Sequence, residues 1–305
     1  MARIMQEEFL KLLSLRAGQI EDFLSVYLND EIRGDEIARP ANLTKAVRHG
    51  VFNGGKRLRP FLVMEVASML GSSDSQAIHA AAGLECLHSY SLVHDDLPAM
   101  DDDDFRRGKP TIHKAFDEAT AILAGDALLT LAFELTASAA SGVDANTRCL
   151  LVTSLARDAG MAGMVGGQKL DLEYENSDAS EDVISRIHAM KTGALIRYAC
   201  SAGAIIAGSS PSQIKMMQKY GEIVGLAFQL ADDLLDVTAD SATMGKATGK
   251  DSEAGKSTLV EVYGVDWARN RLDELIGQTE NILAPYGEKA DVLRAAAQFV
   301  AKRQF

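Results

Sequence analysis

The chain has 305 residues and only 6 prolines, and no stretch alternates apolar and polar residues with period two. The first scarcity leaves helices uninterrupted, and the second argues against half-buried strands. Cysteine is rare and scattered: Cys86, Cys149 and Cys200 form no short metal-ligand spacing. An odd, dispersed set excludes a disulfide framework and predicts reduced thiols in a cytoplasmic protein. Positive charge is in deficit, with 31 Lys and Arg against 43 Asp and Glu and a net charge of −12. That balance disfavours non-specific binding to nucleic acid or anionic membranes, and any anionic substrate would need local cations or metal ions. The first twenty residues carry Glu7 and Glu8 and no signal-type apolar run, and no uninterrupted apolar stretch is long enough to cross a bilayer. The expectation is a soluble protein without membrane insertion. With no linker, low-complexity tract or internal repeat, one domain over 1–305 is expected.

What is present favours helix: 47% hydrophobic residues, 24% charged, and abundant Ala, Leu, Glu and Lys. Residues 5–28 are amphipathic, with Phe9, Leu13, Ile20 and Leu24 at helical spacing. A turn is expected near 34–40, a short helix over 41–52, and a further helix with Pro60 in its first turn. Longer helices are expected over 76–97, 119–139 (apolar almost all round, hence central and fully buried), 147–165, 181–207 and 212–237. The polar, Gly-rich 238–257 reads as a loop, with two more helices after it. About ten helices and no sheet predict an all-α fold, a large bundle whose active site is built at its centre from facing helices.

Two acidic clusters stand out. Asp95 to Asp104 holds six aspartates in ten residues. An isolated acidic run is usually a solvated loop, but this one grows out of an apolar helix and runs straight into Arg106-Arg107-Gly108-Lys109. Upstream, His88, Ser91 and Asp95 fall at offsets 0, 3 and 7 and share one helix face. Roughly 10 Å separates the first from the last along the axis. Carboxylates this dense repel one another unless a cation sits among them, and hard oxygen donors suit Mg²⁺. The second cluster, Gln229, Asp232, Asp233 and Asp236, falls at offsets 0, 3, 4 and 7. It forms a polar stripe on a largely apolar helix, which is costly unless paired or metal-bound; the alternative is that Asp233 and Asp236 face water.

The cations are less specific singly. Gly54-Gly55-Lys56-Arg57-Leu58-Arg59-Pro60 joins flexible glycines to phosphate-binding side chains. Lys191-Thr192-Gly193 lies inside a helical segment. The segment from Gly245 to Thr258 ends like a phosphate-binding loop, but Gly249 and Gly255 are separated by five residues instead of four and no strand precedes them. A P-loop is rejected, and Lys246 and Lys256 remain anion-binding candidates.

In this order these segments resemble the trans-prenyl diphosphate synthases, and within them the bacterial farnesyl diphosphate synthases. The resemblance rests on the motifs at 54–60, 92–108, 116–129, 166–172 (Gly-Gly-Gln-Lys-Leu-Asp-Leu), 191–193 and 228–236, and on the Gly-Lys…Gly-Lys-Ser-Thr segment. It implies an isoprenoid synthase fold, a homodimer and three Mg²⁺ ions. The implied substrates are isopentenyl diphosphate and an allylic partner, dimethylallyl or geranyl diphosphate. By the same resemblance Asp95 and Asp101 ligate two metals and Asp232 the third, with Asp96, Asp102 and Asp236 close by. Arg106, Lys191 and Lys256 would hold the allylic diphosphate, and Lys56, Arg59, His88 and Arg107 the isopentenyl diphosphate. Lys191, Thr192 and Gln229 would face the carbocation. The expected product is farnesyl diphosphate, because Tyr90, beside Ser91, would meet the growing chain roughly 7.5 Å down the helix from Asp95. Geranyl or geranylgeranyl diphosphate is the alternative product.

Three rival readings fit the sequence less well. Glu85-Cys86-Leu87-His88 could be half of a di-iron site, but no second Glu-x-x-His copy exists. A class I terpene cyclase would not need Lys56, Arg59 and Arg107. A non-catalytic partner subunit would be expected to lose aspartates, and both clusters are intact.

Overall fold

The computed structural model describes residues 6–175, 179–242 and 258–302, with 239–242 described as backbone only. The sequence-predicted Lys246 and Lys256 lie outside the described residues. Helices dominate: α1 Gln6–Tyr27, α2 Ala41–Val51, α3 Leu58–Met69, α4 Asp74–Asp95, a single turn α5 Ile112–Ala115, α6 Glu118–Ala137 and α7 Ala145–Ala159. After these come α8 Met164–Tyr174, α9 Glu181–Ile187, a π-helical turn His188–Gly193, α10 Ala194–Ile206, α11 Pro211–Ala242, α12 Leu259–Tyr263, α13 Val265–Leu283 and α14 Asp291–Ala301. The buried apolar side chains form one continuous cluster from Phe9 to Val300.

Local chemistry sets the boundaries. A Ser73–Gln76 capping box opens α4, Asp117 accepts from the Thr120 amide to open α6, and Thr258 with Glu261 caps α12. Each satisfies backbone donors that the first helical turn leaves without partners. α4 packs closely on α6, where Gly83 lies against Ala132 and Thr136, and Gly125 against His94.

Five expectations need correction. The all-helical reading missed a two-stranded hairpin, β1 Phe105–Arg106 with β2 Lys109–Pro110. The turn residues Arg107 and Gly108 both have positive φ, 52° and 75°, which matches the twist of a tight hairpin. The 147–165 helix is two helices, broken between Gly160 and Gly163. The 181–207 helix is interrupted by the π turn. The loop predicted from 238 is helical through Ala242, and its remainder lies outside the described residues. Finally, α6 is not fully buried: Ile122 is 45% and Leu123 55% exposed. α6 packs on α4 and also on α2, α5 and α7, and Ile122 and Leu123 remain exposed beside these contacts. It is also the one described helix long and apolar enough to cross a membrane, judged by length and composition alone.

Candidate active site

The C-terminal half of α4 carries the first set of polar groups. Its His88, Tyr90, Ser91, His94 and Asp95 line a cavity of about 580 Å³, shared with Arg59, Gln168, Lys191 and Thr192. Tyr90, Leu92, Leu97, Met100, Ile122, Met164, Leu172 and Leu195 give it largely apolar walls. The helical spacing of His88, Ser91 and Asp95 therefore does place all three on one cavity. Burial, with the charges of Asp101 and Asp96, pushes the Asp95 carboxyl up to about 7 despite the pull of Lys191 and Arg106. A carboxylate held this way is stabilised by a cation.

After α4 the chain turns sharply, with the Asp101 amide donating to the Asp95 carbonyl at 2.9 Å. Asp102 takes a left-handed conformation, φ 48°. Asp96 does not join Asp95; it is buried, and Arg106 Nε donates to its Oδ1 at 2.7 Å. The hairpin brings Arg106 back to this position. Asp102 and Asp104 lie with His113, their donor atoms within 4.8 Å of one another.

The basic motif at the start of α3 divides its three cations. Arg57 is in a left-handed conformation, φ 50°. Its guanidinium is buried against Glu85 at 2.7 Å, Glu21 at 2.8 Å and the Val51 carbonyl at 2.6 Å. Burial alone would lower its pKa, but Glu85 and Glu21 hold it above the ordinary value. Glu85 is thus engaged by Arg57, which removes the di-iron reading. Lys56 and Arg59 line a second cavity of about 250 Å³ with His88, Arg107 and Phe228, and the Arg57–Glu85 pair forms part of its wall. Arg59 Nη1 donates to His88 Nε2 at 3.2 Å. Burial, then the neighbouring arginine charges, keeps the His88 pKa well below its usual value, so the ring is neutral. Arg107 donates to the Asn53 side chain at 3.3 Å and to the Gly54 carbonyl. Gly55 has φ +123°, and a Cβ there would stand 2.7 Å from Arg107 Cζ. Only glycine lets the guanidinium lie so close to the backbone.

The π turn positions the remaining groups. Lys191 Nζ donates to Asp171 of α8 at 2.7 Å. Thr192 Oγ1 donates to Gln229 Oε1 at 3.1 Å, and Gln229 Nε2 donates to Asp233 Oδ1 at 2.9 Å. Asp233 is only 2% exposed, which overturns the alternative that it faces water. His188 Nε2 lies 3.8 Å from Asp233; burial pushes this histidine down to about 4, so it is neutral. Lys191 and Thr192 line both the large cavity and a side chamber of about 120 Å³ that contains Asp171, Gln229 and Asp233.

The structure thus gathers Arg59, His88, Tyr90, Ser91, Asp95, Lys191 and Thr192 around one cavity, with Lys56 and Arg107 in the adjoining one and Gln229 in the side chamber. Asp101, Asp102, Arg106, Asp232 and Asp236 line none of these three; Asp232 and Asp236 sit on α11, half-buried and exposed. Sequence reasoning gave no individual role to Asp171, His188 or Asp233, although Asp171 lies within the 166–172 motif and Asp233 within the second acidic cluster.

The donor set suits a hard cation. Asp95, Asp101, Asp232 and Asp236 offer only carboxylate oxygens, and the raised Asp95 pKa marks a charge in need of a partner.

Residues 40–291 match the profile of the polyprenyl synthetase family. The chain is 46% identical over 266 residues to the farnesyl diphosphate synthase of Escherichia coli K12, covering 86% of this chain and 89% of that protein. It is 38% identical over 300 residues to the farnesyl diphosphate synthase of Bacillus subtilis 168, covering 98% and 99%. Among solved structures, an FPP/GFPP synthase from Zymomonas mobilis superposes with a TM-score of 0.85 at 36% identity, covering 97% of this chain and all of that one.

Proposed function

The chain belongs to the polyprenyl synthetase family, and from that premise we propose that it condenses isopentenyl diphosphate with dimethylallyl and then geranyl diphosphate to give farnesyl diphosphate. The observation that carries this reading is the pair of adjoining cavities. One is mostly apolar with Asp95, Lys191 and Thr192 at its polar end; the other is cationic, with Lys56, Arg59 and Arg107. The bacterial relatives named as farnesyl diphosphate synthases support the same reading.

In this proposal the allylic tail lies in the apolar cavity, and Lys191 and Arg106 hold its diphosphate. Mg²⁺, held by Asp95 and Asp101 on one side and Asp232 with Asp236 on the other, would neutralise charge developing on the leaving diphosphate; three ions are proposed. Asp96 keeps Arg106 in position, and Asp102 stands at the edge of the cluster. Thr192, oriented by Gln229, presents oxygen to the allylic carbons where positive charge develops. Lys56, Arg59 and Arg107 hold isopentenyl diphosphate with its double bond toward that carbon, which converts a bimolecular step into one between oriented partners. His88, neutral and bonded to Arg59, fixes that guanidinium. Apolar walls exclude the water that would quench the cation. Loss of a proton from the new C–C bond's neighbour completes the condensation, with the departed diphosphate as its acceptor. Lys246 and Lys256 are proposed as further diphosphate ligands. Tyr90, with Ser91, limits chain length.

A homodimer is proposed as well, supported by the exposed Ile122–Leu123 side of α6. A cytoplasmic location is supported by the three unpaired thiols, Cys149 being exposed. Incubation with dimethylallyl and isopentenyl diphosphates plus Mg²⁺, followed by product sizing, tests the reading. Farnesyl diphosphate is expected, whereas a geranyl or geranylgeranyl product would move the assignment within the family. Absence of any condensation would overturn it. Asp95→Ala and Asp232→Ala should each slow turnover by orders of magnitude with the circular dichroism spectrum unchanged.

A further inference from the structure

A further cavity, of about 330 Å³, lies between α10, α11 and α13. Its size falls at the lower end of the range of about 300–1,000 Å³ usual for small-molecule pockets. Ala189 and Gly193 of the π turn form one wall, whereas Lys191 and Thr192 of the same turn line the large cavity and the side chamber. The buried Ile223 and Leu275, with Leu226 beside them, make an apolar floor. Three helices each send a cation to the rim: Arg197 from α10, Lys219 from α11 and Arg271 from α13, with Glu222 the one carboxylate among the lining residues. In a chain where Asp and Glu outnumber Lys and Arg by 43 to 31, this is a local reversal of charge. Asp158 bonds Arg197 and Glu274 lies 2.8 Å from Arg271 Nη1, both from outside the cavity, while Glu222 lies 3.2 Å from Lys219 Nζ. A guanidinium has five N–H donors and an ammonium three, so these bonds aim the cations without exhausting them.

An apolar floor under a cationic rim is complementary to an apolar body with an oxyanion head. A cationic ligand is repelled at the rim, a bare inorganic anion leaves the floor unused, and a plain hydrocarbon desolvates the rim without replacing its hydrogen bonds. We propose that this cavity is an effector site for a small molecule carrying a phosphate or carboxylate head on a short apolar body. Such a ligand presses on Ala189 and Gly193, whose turn carries Lys191 and Thr192. The surrounding backbones leave little slack: a Cβ at Gly221 would stand 2.7 Å from Arg197 Cα, and one at Gly225 2.9 Å from Gly193 Cα. In a wall packed this closely, a displacement on the cavity side is transmitted to the turn. The effector role rests on the synthase reading above; binding at the cavity does not.

Titration calorimetry on the full chain tests this, with octyl phosphate and octanoate as probes and with Mg²⁺ and excess inorganic diphosphate present to occupy the diphosphate-binding groups. At least one probe should bind wild type. Its affinity should fall about tenfold or more in the double variant Lys219→Glu/Arg271→Glu, the effect of losing hydrogen bonds to a charged group. Gln278→Trp, at an exposed position on the cavity's edge, keeps the cations but fills the opening, and should weaken binding as well. Neither probe binding, neither variant weakening it, octylammonium binding as tightly, or inorganic phosphate matching octyl phosphate would each overturn the proposal. In condensation assays at saturating substrate, the bound probe should lower wild-type kcat about threefold or more, because even sub-ångström shifts of Lys191 and Thr192 misalign them. The two variants should keep the wild-type basal kcat and lose this response. Binding at the cavity with wild-type kcat unmoved would overturn the effector role alone. A wild type that binds the probe there but condenses nothing would overturn the synthase reading, and the effector role with it.

Discussion

The π turn His188–Gly193 is wedged between two glycines, which makes it possible to move the turn by known amounts. A Cβ added at Gly167 of α8 would stand 2.2 Å from the Lys191 backbone nitrogen and 2.7 Å from both Lys191 Cα and the Met190 carbonyl carbon. These are backbone atoms, so no flexible side chain can give way. Restoring the closest separation from 2.2 Å to the 3.4 Å at which ordinary contact begins moves the turn by about 1.2 Å. Lys191 and Thr192 ride on that turn, and a misplacement near 1 Å costs an enzyme about 10²-fold in rate. Gly167→Ala is therefore expected to lower kcat roughly 100-fold while costing about 1–3 kcal/mol of stability, the usual range for overpacking. On the opposite side, a Cβ at Gly225 of α11 would stand 2.9 Å from Gly193 Cα. The same reasoning gives a shift of about 0.5 Å and a smaller loss, roughly tenfold, for Gly225→Ala. Steady-state kinetics with dimethylallyl and isopentenyl diphosphates, alongside urea denaturation, reads both quantities. A folded Gly167→Ala that keeps kcat within about twofold of wild type, or a reversed order of the two variants, would refute the idea that this turn is a rigid platform.

Glu85→Leu should strip the buried Arg57 of its closest carboxylate and lower stability by about 3 kcal/mol; joint replacement of both by apolar residues should restore much of that, and a Glu85→Leu single variant as stable as wild type in urea would exclude the account. Gly55→Ala should push the Arg107 guanidinium away from the basic cavity and raise KM for isopentenyl diphosphate about tenfold, with kcat changed far less; an unaltered KM would show that Arg107 does not contact this substrate. Tyr90→Ala should shift products beyond farnesyl diphosphate in mass-resolved assays, and an unchanged product distribution would remove Tyr90 from the control of chain length.

Legibility of the chain followed periodicity. The stripe His88-Ser91-Asp95 could be read because helical spacing alone puts its members on one face, and α4 is regular throughout. The same rule failed at His188–Gly193. A π turn inserts one residue into the hydrogen-bond register without any characteristic residue, so the segment reads as unbroken helix. It failed again at Gly160–Gly163, where glycines tolerated inside helices gave no clear stop. Strands of two residues are too short to show alternation, which hid the hairpin that returns Arg106 to Asp96. Lys56, Arg57 and Arg59 look alike as residues; the structure, with Arg57 in a left-handed conformation, buries this guanidinium against Glu85 and Glu21. For α6, composition could not distinguish a helix surrounded by its own chain from one with an apolar side left uncovered.

The acidic composition, at first unfavourable for a protein that binds two diphosphates, has a structural use at the site. Arg106 places Nε and Nη2 on a single Asp96 oxygen, which leaves Nη1 to reach a phosphate without breaking that pair. Lys191 spends one of its three N–H donors on Asp171 and keeps two. Long cationic side chains lose up to about 2 kcal/mol of rotamer entropy when a ligand orders them. Here carboxylates from the same chain have ordered them beforehand, so less of that cost falls on binding. The anchors also explain why the cations are not interchangeable. A lysine at 106 could not hold Asp96 through two donors and still offer a third in a fixed direction, whereas a single flexible ammonium suffices at 191 because the π turn fixes its backbone. The excess of acidic over basic residues is thus partly the means by which a few cations are aimed.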